Sequence, residues 1–209
     1  MKLTHTSLFA ALATAALVPQ ASAHFHLVEP PSWIEENNLG DPQKMGPCGG
    51  ASANGATPAN PGKPTMTVTK AQGGSKLHIK VTETVFHPGF YRVALAVNSR
   101  DELPKDPEAT TQTGARGLQS VAGKIMYPPL PPVLADGLFQ HTAKVAGDLE
   151  TDIELPNINC AKCTLQILQF MANHGLNRDG DYSYHHCADL AITADPSKPI
   201  DAHFPAEKK

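Results

Sequence analysis

The sequence lacks the short motifs that mark the common hydrolytic and phosphate-binding enzymes. It contains no H-E-x-x-H zinc-protease motif, no G-x-S-x-G nucleophile elbow and no glycine-rich loop of the phosphate-binding kind. A sustained helical period is also absent, and aromatic residues make up only 6% of the chain. Nucleophilic hydrolysis therefore has little support, and a largely helical fold is disfavoured.

Strong net charge and long apolar runs are absent as well. A formal net charge of -3 gives no electrostatic reason to expect nucleic acid or an anionic membrane as a partner. The apolar run at residues 8–18 is too short to span a bilayer. It follows a charged start and ends in Ala-Ser-Ala at residues 21–23, which is typical of a secretory signal peptide. We therefore predict a leader over residues 1–23, a secreted or periplasmic protein, and a mature chain that begins at His24.

Turn-forming residues and an even number of cysteines are what the chain does contain. Its 19 proline and 16 glycine residues separate about eight short segments with strand-like patterns. We predict one all-β domain over residues 24–195, an antiparallel β-sandwich with long loops, and a polar, loosely held tail over residues 196–209. The four cysteines all follow the leader, so two disulfides are the default, with zinc as the alternative for Cys160-x-x-Cys163.

The clearest strand patterns lie in four segments. Residues 24–28 alternate before a Glu-Pro-Pro-Ser stop. Residues 65–70 and 76–85 flank a Gly-Gly turn and are predicted to form a hairpin with one buried face. Residues 163–171 are apolar on both faces, which indicates a central strand.

The remaining regions have weaker patterns. Residues 139–145 and 151–155 are predicted strands, and residues 182–192 are predicted to become a strand in their second half. Residues 34–64 and 98–137 have no period, so each is predicted to be a long loop that is either functional or disordered.

Two histidines lie where their side chains could meet a metal ion. His24 would carry both a free amine and an imidazole, and these can close a chelate ring on one ion. His87, in Phe-His-Pro-Gly, lies between predicted strands 76–85 and 90–97, where a rigid corner can aim its side chain. Three nitrogen donors without a thiolate favour copper and leave room for an oxygen species. The alternatives are a turn histidine at position 87 and an incidental histidine after the cleavage site.

Four motifs in order resemble the lytic polysaccharide monooxygenases, and more closely a bacterial group described as polysaccharide-monooxygenase-like proteins. They are His24 with the following Pro-Pro-Ser, Phe-His-Pro-Gly-Phe-Tyr at residues 86–91, Cys-x-x-Cys-Thr-Leu-Gln at residues 160–166, and Tyr-x-x-Cys-Ala-Asp-Leu at residues 184–190. The resemblance covers most of residues 24–193. It implies an immunoglobulin- or fibronectin-like sandwich that holds one copper ion in a histidine brace.

The resemblance also implies roles for individual residues. The amine and imidazole of His24 and the imidazole of His87 would be the equatorial copper ligands, with Tyr184 in the axial position. Many fungal members have glutamine two residues before this tyrosine, where the present chain has Tyr182. Gln169 on the neighbouring strand, or His174, could instead supply the hydrogen bond that steers the oxygen species.

The implied function is secreted, copper-dependent oxidative cleavage of a β-linked polysaccharide of the chitin or cellulose type. The monomeric enzyme would act on a polysaccharide surface and use an external electron donor. The implied disulfides are Cys48–Cys187 and Cys160–Cys163. Two alternatives stay open: a non-catalytic extracellular copper-binding protein, since small copper carriers also begin with His-x-His, and a polysaccharide-binding module that keeps the fold without the metal.

Overall fold

The computed structural model describes residues 23–50, 62–113, 117–177 and 180–208, so the predicted leader, apart from Ala23, lies outside the described residues. Within these ranges the chain forms ten strands and a short 3-10 helix. In chain order they are β1 (His24–Glu29), β2 (Val68–Gln72), β3 (Lys76–Val85), β4 (Gly89–Ala96), the helix (Arg100–Glu102), β5 (Ala109–Thr113), β6 (Gln119–Gly123), β7 (Val133–His141), β8 (Leu149–Glu154), β9 (Cys160–Met171) and β10 (Ser183–Thr193). No helix in these ranges is long and apolar enough to cross a membrane.

The strands form two packed sheets and a covering hairpin. One sheet has the order β1-β3-β8, the other has the order β2-β10-β9-β4-β7, and β5 and β6 form a separate two-stranded sheet. Neighbouring strands are antiparallel except for β2 and β10, which are parallel. Phe25 and Ile79 of the first sheet pack with Tyr91 and Ile167 of the second in one buried cluster. The predicted all-β sandwich is confirmed.

Strand β9 is central, as its apolar pattern predicts. Leu165 and Ile167 face the sandwich core, whereas Leu168 and Phe170 face outward and pack with Val121 of β6. The β5–β6 hairpin therefore covers the outer face of the five-stranded sheet. Burial on both sides explains why the sequence of β9 shows no polar face.

The predicted hairpin of residues 65–70 and 76–85 is wrong, because β2 and β3 belong to different sheets. The chain crosses between the sheets at Gly73-Gly74, whose N–H groups donate to the carbonyls of Thr193 and Leu155 at 2.8 and 3.1 Å. Two half-buried strands joined by a tight turn have the same local pattern whether or not they pair. The partner of β2 is β10, far along the chain.

Residues 98–137 are not a structureless loop, since they contain the 3-10 helix, β5, β6 and the start of β7. Strand β5 is built mainly of exposed threonine, with a half-buried Gln112, so no apolar alternation marks it. Strand β7 covers Val133–His141 and so begins before the predicted segment 139–145. Strand β10 is extended from Ser183 onward, not only in its second half.

The C-terminal tail packs against the domain, which corrects the prediction that it is loosely held. Phe204 is 9% exposed and joins the core cluster. The side-chain amide of Asn157 donates to the carbonyls of Asp195, Lys198 and Pro199 at 2.9 to 3.1 Å. One aromatic anchor and one amide thus hold a segment whose composition is otherwise polar.

The strand register gathers the predicted site residues at one end of the sandwich, which we call the His24 end. β1 begins here, with His24 opposite Val85, the last residue of β3. The chain then passes to the second sheet through residues 86–88 and enters β4 at Gly89. A Cβ at position 89 would lie 2.0 Å from the carbonyl oxygen of Phe170, so glycine is required there. His87 therefore lies on a short connection fixed at both ends, as the corner prediction requires.

Candidate metal centre

His24 presents an unsatisfied nitrogen. Its ring packs against the ring of Tyr184, with the centroids 5.0 Å apart. The Asp41 carboxylate lies 3.4 Å from Nε2 and so favours the proton on that nitrogen. Nδ1 is buried and has no hydrogen-bond partner in the part of the chain that the structure describes. A buried lone pair of this kind is costly in a structural histidine and is what a metal ligand requires.

His87 presents its lone pair on the other ring nitrogen. The side chain is 6% exposed, and Nδ1 lies 2.9 Å from the carbonyl oxygen of Pro88. Because a carbonyl oxygen only accepts, Nδ1 carries the proton and Nε2 carries the lone pair. The ring stacks on His174 with a centroid distance of 5.5 Å. Burial lowers the pKa of His87, which favours the neutral imidazole that metals bind.

The electrostatics at His24 also favour a neutral ring. Burial is the largest influence and lowers the pKa of His24, while the Asp41 carboxylate raises it and the Lys44 ammonium lowers it. A neutral His24 with its proton on Nε2 leaves Nδ1 available as a ligand.

Side chains alone do not complete a metal site. Among the described residues, no group of three or more His, Cys, Asp or Glu side chains is arranged to hold a metal ion. His24 and His87 supply two imidazoles, so a third metal ligand has to come from a group other than these side chains. The main-chain nitrogen of His24 belongs to the same residue as Nδ1, but in the unprocessed chain it is an amide bonded to the buried Ala23.

Tyr184 closes one side of His24. It is 5% exposed, and burial raises the pKa of its phenol to about 12, so the hydroxyl keeps its proton at neutral pH. The Lys44 ammonium lies 4.4 Å from the centroid of the Tyr184 ring and 3.2 Å from the Asp181 carboxylate. The tyrosine is thus held between the first residue of β1 and the loop that carries Lys44.

Residues 41–48 form a strap over the site. Gln43 ties this strap to both sheets, because its Oε1 accepts from the N–H of Phe25 at 3.2 Å and its carbonyl accepts from the N–H of His185 at 2.6 Å. The strap ends at Cys48, which forms a disulfide with Cys187 of β10. Asp41 and Lys44 therefore reach the site from a backbone that is anchored at several points.

The disulfides join Cys48 to Cys187 and Cys160 to Cys163, the pairing that the resemblance implies. No cysteine within the described ranges is free. The zinc alternative for Cys160 and Cys163 is therefore not what the structure contains.

Gln169 lies beside Tyr184 in the β9–β10 register but is bonded elsewhere. Its Nε2 donates to Oε1 of Glu83 at 2.7 Å, and Nε2 of His141 and the hydroxyl of Tyr91 lie 3.0 and 3.4 Å from the same oxygen. Burial raises the pKa of Glu83. Oε1 of Gln169 and Oε2 of Glu83 are buried without a partner among the described residues. Gln169 thus belongs to a buried polar cluster between the sheets, next to the His24 end.

Three residues at or beside the site, Asp41, Lys44 and Glu83, are not among those that the sequence motifs predict. Glu83 follows Val81 at the next inward position of the alternating pattern in β3, so a buried carboxylate could have been predicted there. No comparable signal marks Asp41 or Lys44. Their contacts depend on the path of a loop that has no periodic pattern.

Comparisons with known proteins give a remote structural likeness. No protein-family model matches the chain, and no curated protein matches it. Among solved structures, it is similar to the crystal structure of a chitin binding domain from Burkholderia pseudomallei, with 13% sequence identity and a TM-score of 0.44. The match covers 82% of this chain and 100% of that chain. A likeness this remote does not show what the present chain binds.

Proposed function

We propose that the mature chain is an exported copper protein that cleaves a β-linked polysaccharide oxidatively. The observation that carries the proposal is the pair of nitrogens at the His24 end. Nδ1 of His24 is buried without a partner among the described residues, and the bond from Nδ1 of His87 to Pro88 directs the lone pair of that ring onto Nε2. Neutral imidazoles with available lone pairs suit copper.

Cleavage after Ala23 supplies the third nitrogen. It converts the main-chain nitrogen of His24 from an amide, which has no lone pair to donate, into an amine that chelates together with Nδ1. Three nitrogens without a thiolate favour copper over the other first-row divalent ions. Copper, when bound, would supply one-electron and oxygen chemistry that no side chain provides.

The protein's own residues have three tasks in this proposal. Asp41 keeps the proton of His24 on Nε2. The carbonyl oxygen of Pro88 keeps the proton of His87 on Nδ1. Tyr184 covers one side of His24 and limits access of water there. The strap, pinned by Cys48, keeps these groups in place when the charge at the site changes.

The first experiment compares two forms of the chain, one beginning at His24 and one carrying an additional Met before it. We expect tight copper binding, measured by isothermal titration calorimetry, only when His24 is the first residue. The matched control is a His203→Ala variant of the form that begins at His24, because His203 is an exposed histidine and should leave the affinity unchanged. Equal affinity with and without the additional Met would refute the chelate.

The second experiment tests catalysis. Copper-loaded protein is incubated with chitin or cellulose and ascorbate, and oxidised oligosaccharides are sought by mass spectrometry. The proposal expects them from at least one polymer and none from a His87→Ala variant. Copper binding without oxidised products from either polymer would leave a non-catalytic copper-binding protein. Retention on chitin or cellulose without copper binding would leave a polysaccharide-binding module.

A further inference from the structure

We infer that a pocket beside His87 binds one sugar ring of a neutral glycan. This inference deepens the proposed function and rests on it for the identity of the polymer. The pocket has a volume of about 300 Å³ and lies between the β5–β6 hairpin and the ends of β4, β7 and β9. Its lining includes Phe90, Gln112, Gly123, Gln140 and Asn173. This volume is at the lower limit of pockets that hold organic ligands, which suits a group the size of a monosaccharide.

The pocket adjoins the candidate metal centre through two chain segments. Gly89, which lines it, follows His87 by two residues. Asn173, on another wall, precedes His174, whose ring stacks on that of His87. A sugar held in the pocket would therefore continue its chain past the two stacked histidines.

Two amide groups present a donor and an acceptor side by side. Nε2 of Gln112 donates to Oδ1 of Asn173 at 2.6 Å and to the carbonyl of Val121 at 3.3 Å. These bonds occupy both amide hydrogens of Gln112 and orient both side chains. Oε1 of Gln112 and Nδ2 of Asn173 have no hydrogen bond to another described residue and are the groups that would meet a ligand. An adjacent acceptor and donor match two vicinal hydroxyl groups, each of which can donate and accept.

The remaining surface is neutral and partly apolar. His141 lines the pocket but is paired with Glu83 at 3.0 Å, so it adds no net charge. Phe90 and Phe170 stack beneath, with ring centroids 5.3 Å apart. A Cβ at Gly123 would lie 2.7 Å from the Phe170 ring, so glycine allows this close approach of β6. An apolar floor with an amide edge complements a sugar ring, which has C–H faces and a hydroxyl rim.

Hydrogen bonds to β6 fix the backbone at Asn173. Asn173 has a φ of 58°, a left-handed conformation that asparagine adopts more readily than most residues. Its N–H donates to the carbonyl of Val121 at 2.7 Å, and the N–H of Val121 donates to the carbonyl of His174 at 2.9 Å. These bonds hold the Asn173 wall of the pocket against β6.

The test is an NMR titration of metal-free protein, beginning at His24, with chitotetraose and with cellotetraose. We expect saturable shifts of the Gly89, Gly123 and Asn173 amides with at least one of the two sugars. Gln112→Ala should raise Kd about tenfold, because one hydrogen bond and the orientation of Asn173 are lost. Gln119→Ala is the matched control, since Gln119 is an exposed glutamine of the same hairpin whose amide bonds to Thr113.

Asn173→Gly provides a variant that keeps the fold, because glycine accepts the left-handed conformation without steric strain. It should weaken sugar binding while lowering Tm only slightly, since the bond that it removes lies on the exposed surface. Absence of saturable shifts with both sugars, or an unchanged Kd in both pocket variants, would overturn the inference. Copper affinity is measured on the same samples. Sugar binding that persists in wild-type protein unable to bind copper would refute the metal centre and support the pocket, so the two failures are distinguishable.

Discussion

The carboxylate of Asp41 lies 3.4 Å from Nε2 of His24, the ring nitrogen that a metal at Nδ1 would not use. It orients the ring and fixes its proton. Asp41→Asn should therefore lower copper affinity about 10- to 100-fold, as measured by calorimetry. Asp152→Asn is the control, because Asp152 faces His78 at 2.9 Å on the exposed surface. Equal affinities in the two variants would remove Asp41 from the site.

The Cys48–Cys187 disulfide closes a long loop and should stabilise the fold strongly. Its sequence separation is 139, against 3 for Cys160–Cys163. Loop entropy predicts losses of about 5 and about 2 kcal/mol for the respective double alanine variants, measured by urea unfolding. The first variant should also bind copper more weakly, since the strap loses its anchor. A larger stability loss from the short-loop variant would contradict the entropic argument.

Glu83 should be a stability hot spot. Its carboxylate is 6% exposed and accepts from Gln169, Tyr91 and His141. Glu83→Ala leaves buried donors unpaired, so we expect a loss of about 3 to 5 kcal/mol in the free energy of unfolding. Glu150→Ala breaks an exposed pair with His78 and should cost at most about 1 kcal/mol. Similar losses of stability in Glu83→Ala and Glu150→Ala would show that the buried cluster around Glu83 does not stabilise the fold more than an exposed ion pair does.

His186 should make the metal-free protein less stable in acid. Burial lowers its pKa from 6.5 to about 3, so within that window the unfolded chain binds a proton that the native state does not. The stabilising contribution of a neutral His186 is therefore fully present above about pH 6.5. Below that pH the free energy of unfolding falls by up to about 1.4 kcal/mol per pH unit. Glu36 lies 3.2 Å from Nδ1 of His186, and burial raises the pKa of Glu36. Protonation of Glu36 at low pH therefore favours the native state and offsets part of the stability lost through His186.

The measurement for this prediction is urea unfolding in the presence of a chelator, from about pH 7 to about pH 4. The His186→Gln variant lacks the titrating ring, so its stability should decline less steeply over that range. His203→Gln, at an exposed histidine of the C-terminal tail, serves as the control and should follow the wild-type curve. Parallel curves of stability against pH for wild type and His186→Gln would show that His186 does not cause the loss of stability in acid.

Local burial patterns made the sandwich and several of its strands predictable. Strand β9 is covered on two faces and β3 on one, and each condition leaves its own apolar period. Strand pairing leaves no such pattern in the sequence, so the pattern of β2 does not reveal that its partner is β10. Strand β5 is mostly exposed, so its sequence has no apolar period that predicts a strand.

In the candidate site too, local sequence predicts some residues, whereas tertiary contacts determine the positions of others. His24 and His87 follow from a cleavage signal and a Pro-Gly corner, both of which are local. The position of Asp41 depends on a disulfide that joins distant parts of the chain, and that of Gln169 on a carboxylate from the opposite sheet. Such contacts arise from tertiary packing and could not be read from spacing.

The parallel pairing of β2 with β10 has a kinetic consequence. Val68 of β2 pairs with Asp189 of β10, so β2 cannot pair with its partner until nearly the whole chain has been made. Contacts between such distant segments slow folding, because loop entropy is lost before any pairing energy is gained. We therefore expect refolding from denatured protein to be slow, with β2 remaining an exposed, unpaired edge until β10 has formed.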